Sequence, residues 1–275
     1  MANNILGYQP GNSFVHRLTG GTKLLGFLVL TITGMLSFDL RYLLLLTVFS
    51  LVLLWQTHIA WAKMALLVKT VSVFALMNLI LIYLFAPQYG TQLFAGKHIL
   101  LGSGGYALTS EQLLYEGIVL LKYAVSLPLA LLFLLTTNPS EFAAGMNKIG
   151  ISYRVAYAFA LTLRYIPDIQ AEYQMIANAQ QARGFEMSRK APLKQRIQGA
   201  VRIVIPLMLS SLDRIDEISR AMDLRRFGLK KRRTWYYEQV FKKIDWLAFI
   251  VVIGLVLLSV GLIVTNGGRY WSPWH

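Results

Sequence analysis

The chain has 275 residues, of which 56% are hydrophobic and only 15% are Asp, Glu, Lys or Arg, against roughly 25% charged in an ordinary soluble domain. Its apolar runs are too long and too many for a soluble core, so it reads as an all-α integral membrane protein. Cysteine is absent, which excludes disulfides, thiol catalysis and thiolate metal sites.

Charge then sets the orientation. A net charge of +14 raises nucleic-acid binding as an idea, but fourteen of the 27 Lys and Arg lie between positions 183 and 233. That stretch is the longest without a good span, and the positive-inside rule expects such clustering in a cytoplasmic region. Nucleic acid is therefore not expected as a partner.

In chain order, apolar helices are expected at 24–38 and 42–55, separated only by Asp39-Leu40-Arg41 as a tight hairpin. A third follows at 70–86. Residues 88–109 are glycine-rich with few charges and read as an outside loop, with room for a short interfacial helix. Residues 117–137 form the fourth span, interrupted only by Lys122. The clearest span is 246–265, twenty uncharged residues, matching the ~20 needed to cross ~30 Å of hydrocarbon. His16, Arg17 and Lys23 precede the first span and place the N-terminus in the cytoplasm. Five alternating spans put residues 138–243 inside and the Trp271/Trp274 tail outside. The expected organisation is thus a membrane region at 1–137, a cytoplasmic domain of long kinked helices at 138–243, and a last span with an external tail at 244–275.

The cytoplasmic region is helical by pattern. Over 157–185 the apolar residues Tyr165, Ile169, Tyr173 and Ile176 recur at helical spacing, and Pro167 should kink that helix. Over 193–227 an apolar stripe runs through Ile197, Val201, Val204, Met208, Leu212 and Ile215, with Pro206 in the same role. Each helix ends near a glycine, Gly184 or Gly228.

The two ends echo one another. Ala182-Arg183-Gly184-Phe185 closes the first and Leu224-Arg225-Arg226-Phe227-Gly228 the second. One arginine at a helix C-terminus has a plain reading, complementing the macrodipole for ~0.3–1 kcal/mol. Two with matched neighbours favour docking, because the guanidinium fork suits carboxylates and exposed carbonyls, and Phe185 and Phe227 can serve as apolar anchors.

No other chemistry is visible. There is no GxxxxGK[ST] phosphate loop, the four His are scattered, and no cluster has metal-ligand spacing. The spans hold no Asp or Glu, which speaks against a proton relay. Lys69, near the end of its span, and Lys122 are the intramembrane cations.

With these residues in hand, the sequence resembles the transmembrane (T) component of energy-coupling factor transporters. Ala182-Arg183-Gly184 matches the first of that family's two Ala-Arg-Gly signatures in full. Leu224-Arg225-Arg226, preceded by Arg220-Ala221-Met222-Asp223, corresponds to the second with only its arginine retained. The stretch Gly7-Tyr8-Gln9-Pro10-Gly11-Asn12-Ser13-Phe14-Val15-His16-Arg17-Leu18 with Thr22-Lys23-Leu24-Leu25 is similar to the family's opening motif, as is Arg164-Tyr165-Ile166-Pro167 to an internal one. Gly20-Gly21 stand where the family usually has Asp-Pro, which implies a looser lead-in to the first span.

The resemblance implies a non-catalytic scaffold in a bacterial cell membrane. Its two arginine tips would enter grooves on two cassette-type ATPases, which themselves bind ATP and Mg. A separate small membrane subunit would capture a vitamin or micronutrient. The competing readings are a conventional permease with its own translocation path and an ATP-independent secondary transporter. Two docking signatures in one chain disfavour the former, and the absence of acidic intramembrane residues and of Gly/Pro-broken spans disfavours the latter.

Overall fold

A computed structural model of the chain describes residues 8–94, 98–101, 106–184, 192–228 and 240–271. In chain order the elements are α1 (Gly20–Leu36), α2 (Leu40–Gln56), α3 (Trp61–Phe85), α4 (Tyr89–Leu93), β1 (Ile99–Leu101), β2 (Leu108–Thr109), α5 (Ser110–Thr136), α6 (Pro139–Lys148), α7 (Tyr153–Ala182), α8 (Leu193–Leu224) and α9 (Lys243–Thr265). They fall into two compact units: Met1–Ile149 with Tyr237–His275, and Gly150–Tyr236.

The first unit is an all-α membrane bundle. With 25, 27 and 23 residues, α3, α5 and α9 reach ~35–40 Å at 1.5 Å per residue, enough for the ~30 Å hydrocarbon layer. At 17 residues each, α1 and α2 reach only ~26 Å.

Contacts at the two ends fix the direction of all five. At one end, the Thr19 amide before α1 donates to Asp245 in the first turn of α9 (2.9 Å). There too, Lys23 Nζ donates to the Thr136 carbonyl at the close of α5 (2.8 Å), and Met64 early in α3 packs on Leu131 and Leu135. At the other end, the Phe38 amide between α1 and α2 donates to the Arg269 carbonyl beyond α9 (3.2 Å), and the Phe94 ring lies 6.2 Å from Tyr270. The helices therefore run alternately up and down.

Between these ends the core is continuous: Leu30, Tyr42, Leu43, Leu46, Ile118 and Val125 are buried together. The α1–α2 turn is held by Asp39, whose carboxylate accepts from the Arg41 amide (2.9 Å) and from Asn266 Nδ2 (2.8 Å). The expected outside loop contains α4 and a small antiparallel pairing, Ile99 with Thr109 and Leu101 with Leu108.

Both intramembrane lysines are placed. Lys122 Nζ donates to the Met35 carbonyl (2.8 Å) and lies 3.3 Å from the centroid of the Phe38 ring. It thereby caps the last turn of α1, whose final carbonyls lack helical partners. The sequence reading puts Lys69 near a span end, but α3 begins at Trp61. Lys69 is exposed, some ~12 Å inside the helix.

The lead-in to α1 is the opposite of loose. Gly20 and Gly21 are buried against α6, and a Cβ on Gly20 would stand 2.3 Å from the Glu141 carbonyl oxygen. A Cβ on Gly145 would meet the Gly21 amide nitrogen at 2.8 Å. The paired glycines let two backbones touch, while Asp245 supplies from α9 the carboxylate that the lead-in lacks. Upstream, the His16 ring fills the space over Gly11, its Nε2 donating to the Gln9 carbonyl (3.0 Å) and its Nδ1 hydrogen-bonded to Ser13 Oγ (2.7 Å).

Replacing Gly20 by Ala should lower stability by about 1–3 kcal/mol through overpacking. Gly26→Ala, whose Cβ meets nothing nearer than 3.8 Å, should be neutral or stabilising by up to ~1 kcal/mol. Thermal unfolding of the purified variants separates the two, and equal melting temperatures would remove the close-packing account.

Candidate docking site at two helix ends

The second unit is built from α7 and α8, of 30 and 32 residues, ~45–48 Å long. Ser152 caps the start of α7, its hydroxyl accepting from the Val155 amide (3.4 Å). Both helices continue unbroken through their prolines, although Pro167 and Pro206 cannot donate to the carbonyls four residues back.

The pair is antiparallel. Midway, Arg214 Nη2 donates to Glu172 Oε2 (2.8 Å), and Ser210 Oγ donates to the other oxygen of the same carboxylate. Ala177 and Ile203 are buried where the helices meet, and Ala156 is buried near the start of α7. At one end Phe227, just beyond α8, packs on Tyr157 and Tyr153 in tilted contacts, at 4.5 and 5.6 Å between centroids. Beside it Arg154 Nη2 donates to the Gly228 carbonyl (3.0 Å).

Arg183 and Arg225 occupy equivalent positions. Each is the C-cap residue of its helix, with φ −82°, ψ 11° and φ −85°, ψ 10°. The next residue turns left-handed in both cases: Gly184 at φ 80° and Arg226 at φ 53°. At the second tip the Phe227 amide donates to the Met222 carbonyl and the Arg226 amide to the Asp223 carbonyl, both 2.9 Å. These are the two bonds of a Schellman C-cap. At the first, the Gly184 amide donates to the Gln181 carbonyl (2.9 Å). The substitution of Arg226 for glycine thus preserves the backbone turn at a conformational cost of ~1–2 kcal/mol.

Both tips stand clear. Ala182, Arg183, Gly184, Leu224, Arg225 and Arg226 are all exposed, Leu224 at 86%. The three guanidinium groups make no hydrogen bond or ion pair to any described residue. Phe227 is half-buried against α7 and braces the second tip from within, whereas Phe185 lies outside the described residues. Because Phe227 sits at Tyr157, the tip at Arg183 is roughly 40 Å further along α7. The arginines therefore face outward from opposite ends of one helix pair.

The long faces of the unit are apolar and uncovered. On α8, Ile197, Val201, Val204, Met208, Leu212 and Ile215 are each 45–59% exposed. An apolar surface of that extent on a charged helix marks an interaction face.

Sequence reasoning places both helix ends, the first through Ala182-Arg183-Gly184 and the second through its arginine and the following Phe227-Gly228. It misses Arg154 and the Glu172–Ser210–Arg214 clamp, because neither has a local signature and both depend on how the helices pair. The family's opening motif and the internal Arg164-Tyr165-Ile166-Pro167 segment lie in different units, the first around His16 and the second in the middle of α7.

Arg226→Gly should remove the left-handed penalty and raise stability by about 1 kcal/mol, while Phe227→Ala should lower it by about 3 kcal/mol or less at this half-buried site. Melting temperatures of the purified variants should move in opposite directions. A fall for both would mean that Arg226 is held by contacts stronger than the backbone strain.

Comparison with known proteins finds similarity along nearly the whole chain. The CbiQ family, described as cobalt transport protein, matches residues 11–236. The energy-coupling factor transporter transmembrane protein EcfT of Leuconostoc gelidum is 28% identical over 94% of this chain and 96% of its own length. That of Streptococcus equi is 29% identical over 90% and 93%, and that of Bacillus subtilis 26% identical over 92% and 94%. A membrane bundle carrying two long helices with matched arginine ends, aligned from the His16 motif to beyond α8, thus belongs to the CbiQ family, the transmembrane components of energy-coupling factor transporters.

Proposed function

We propose that this protein transmits the closing motion of two cytoplasmic cassette ATPases to a separate small membrane subunit that carries a vitamin or other micronutrient. The observation that carries this reading is the pair of equivalent, exposed arginine C-caps at opposite ends of α7–α8. A rigid fork of five donors on a protruding helix end fits a groove lined by carboxylates or helix-terminal carbonyls. Two such forks set roughly 40 Å apart suit a motor with two like subunits.

The roles then divide by chemistry. Arg183 and Arg225 make the charged contacts, with Arg226 adding a third cation at the second tip. Ala182 and Gly184 keep the first tip slim, while Leu224 offers the second an apolar flank. ATP and Mg are bound by the ATPases, and this chain has no catalytic group of its own. The apolar faces of α7 and α8 receive the substrate-binding subunit. The protein resides in a bacterial cell membrane as a multi-pass subunit with the N-terminus in the cytoplasm, the orientation that its basic 183–233 segment favours.

Reversing both charges, Arg183→Glu with Arg225→Glu, should abolish co-purification of the ATPases and substrate uptake while membrane insertion and melting temperature stay at wild-type values. Each single reversal should be milder, because the remaining contact still tethers the motor. Retention of both ATPases by the double variant would reject the proposal.

A further inference from the structure

The two tips differ in how their turns are held. At the first, the Arg183 amide donates to the Ala179 and Gln180 carbonyls and the Gly184 amide to that of Gln181, all within α7 and its cap. Glycine takes the φ of 80° without strain. Among the described residues, a Cβ on Gly184 would meet nothing within 4 Å. The second tip makes a harder demand. Arg226 stands left-handed at φ 53°, a region that side chains rarely adopt, and Gly228 turns left-handed again at φ 86°. Of the residues 226, 227 and 228 the first and last are thus left-handed, and the first carries a long side chain.

What holds this turn comes from the other helix. Tyr153, Arg154 and Tyr157 lie within about one turn at the start of α7, the two tyrosine rings stacked on each other at 5.9 Å. Phe227, between the two left-handed residues, packs on both rings. Arg154 Nη2 donates to the Gly228 carbonyl (3.0 Å). The same side chain lies alongside the Gly228 backbone, where a Cβ would stand 3.7 Å from Nε. The turn is therefore gripped immediately after Arg226, through the ring of one neighbour and the carbonyl of the next.

We propose that Arg154 is a positioning residue for the second docking tip: by holding the Gly228 carbonyl it keeps the left-handed turn at Arg226 populated and so aims Arg225. The inference rests on the docking reading above. Arg154 acts on the backbone turn, not on the ATPase. A tip whose competent turn is only partly populated binds with its affinity reduced by that fraction. The first tip has glycine at its turn and lies roughly 40 Å away along α7, so its capture of an ATPase is independent of Arg154.

The test titrates the detergent-purified full chain, with one tip reversed, against the ATPases that co-purify with the wild-type chain. In an Arg183→Glu chain, which captures through the second tip, Arg154→Ala should weaken capture roughly fivefold. In an Arg225→Glu chain, which captures through the first, it should change capture by less than about twofold. In an Arg183→Glu, Arg226→Gly chain, Arg154→Ala should again cost less than about twofold, because glycine keeps the turn unaided. A direct contact between Arg154 and the ATPase would leave the loss in place there. Equal losses through both tips, as a general unfolding of the helix pair would give, no loss through the second tip, or a loss that Arg226→Gly does not relieve would each overturn the proposal. Capture by the Arg183→Glu, Arg225→Glu chain is the separate control. If that chain still retains both ATPases, the docking reading itself falls; if it does not, any of the three adverse results counts against Arg154 alone.

Discussion

Asp245 is a carboxylate with no solvent exposure at the start of a membrane helix, and such a group is costly unless its lone pairs are filled. They are filled by backbone. Oδ1 accepts from the Thr19 amide and Oδ2 from the Lys242 amide, each at 2.9 Å, bonds of the charge-assisted class worth about 1.5–3 kcal/mol apiece. One side chain thereby satisfies an orphan donor at the start of the first helix and another at the start of the last, although Asp245 and Thr19 are 226 positions apart in sequence. With Phe38 bonded to Arg269 at the far end, α1 and α9 are pinned side by side at both extremities. The membrane unit closes on itself across the long insertion between α6 and α9.

That closure depends on glycine as much as on charge. Gly20 and Gly145 bring α1 and α6 so close that a Cβ on either would overlap backbone atoms, with Gly21 in contact between them, and this places Glu141 beside Lys23. Lys23 in turn satisfies the Thr136 carbonyl at the end of α5, a carbonyl with no helical donor. At the opposite end Lys122 does the same for Met35. Lys23 and Lys122 thus serve as helix caps, which accounts for their presence beside apolar runs.

The second unit obeys a different balance. Its helices are amphipathic, but the antiparallel pair covers only a narrow seam around Ala156, Ala177 and Ile203. The rest of the apolar stripe faces outward. In a free-standing soluble protein such a face would favour aggregation, so the sequence makes sense only as part of an assembly.

Legibility followed the range of each interaction. Helix ends are local: Gly184 and Gly228 mark their turns in the sequence because positive φ needs glycine, and the spans declare themselves by length and hydropathy. Arg226 shows where that reasoning stops, since the structure puts a non-glycine in the left-handed position and retains the same hydrogen bonds. In sequence Gly20-Gly21 reads as loose because a glycine pair alone signals freedom, and only the facing Gly145 turns it into close packing. Asp245 was indistinguishable from an ordinary charge flanking a span, for its partner is at the other end of the chain. The start of α3 lies nine residues before the expected 70 because Lys63 and Lys69 interrupt the hydropathy without interrupting the helix.

The presentation of the arginines is ultimately a backbone property. Each guanidinium projects from a residue whose φ and ψ are those of a helix cap, so the direction of the side chain is set by the turn that follows it and not by neighbouring side chains. Midway along, the Glu172–Arg214 ion pair with Ser210 resists sliding of one rod on the other. At the end, Phe227 on Tyr153 and Tyr157, with Arg154 on Gly228, resists splaying. A pair fixed at two levels holds its ends at nearly constant separation. In the proposed docking role, constant separation would convert a first contact into a high effective concentration for the second, and would let a displacement imposed at one end reach the other instead of being absorbed by bending.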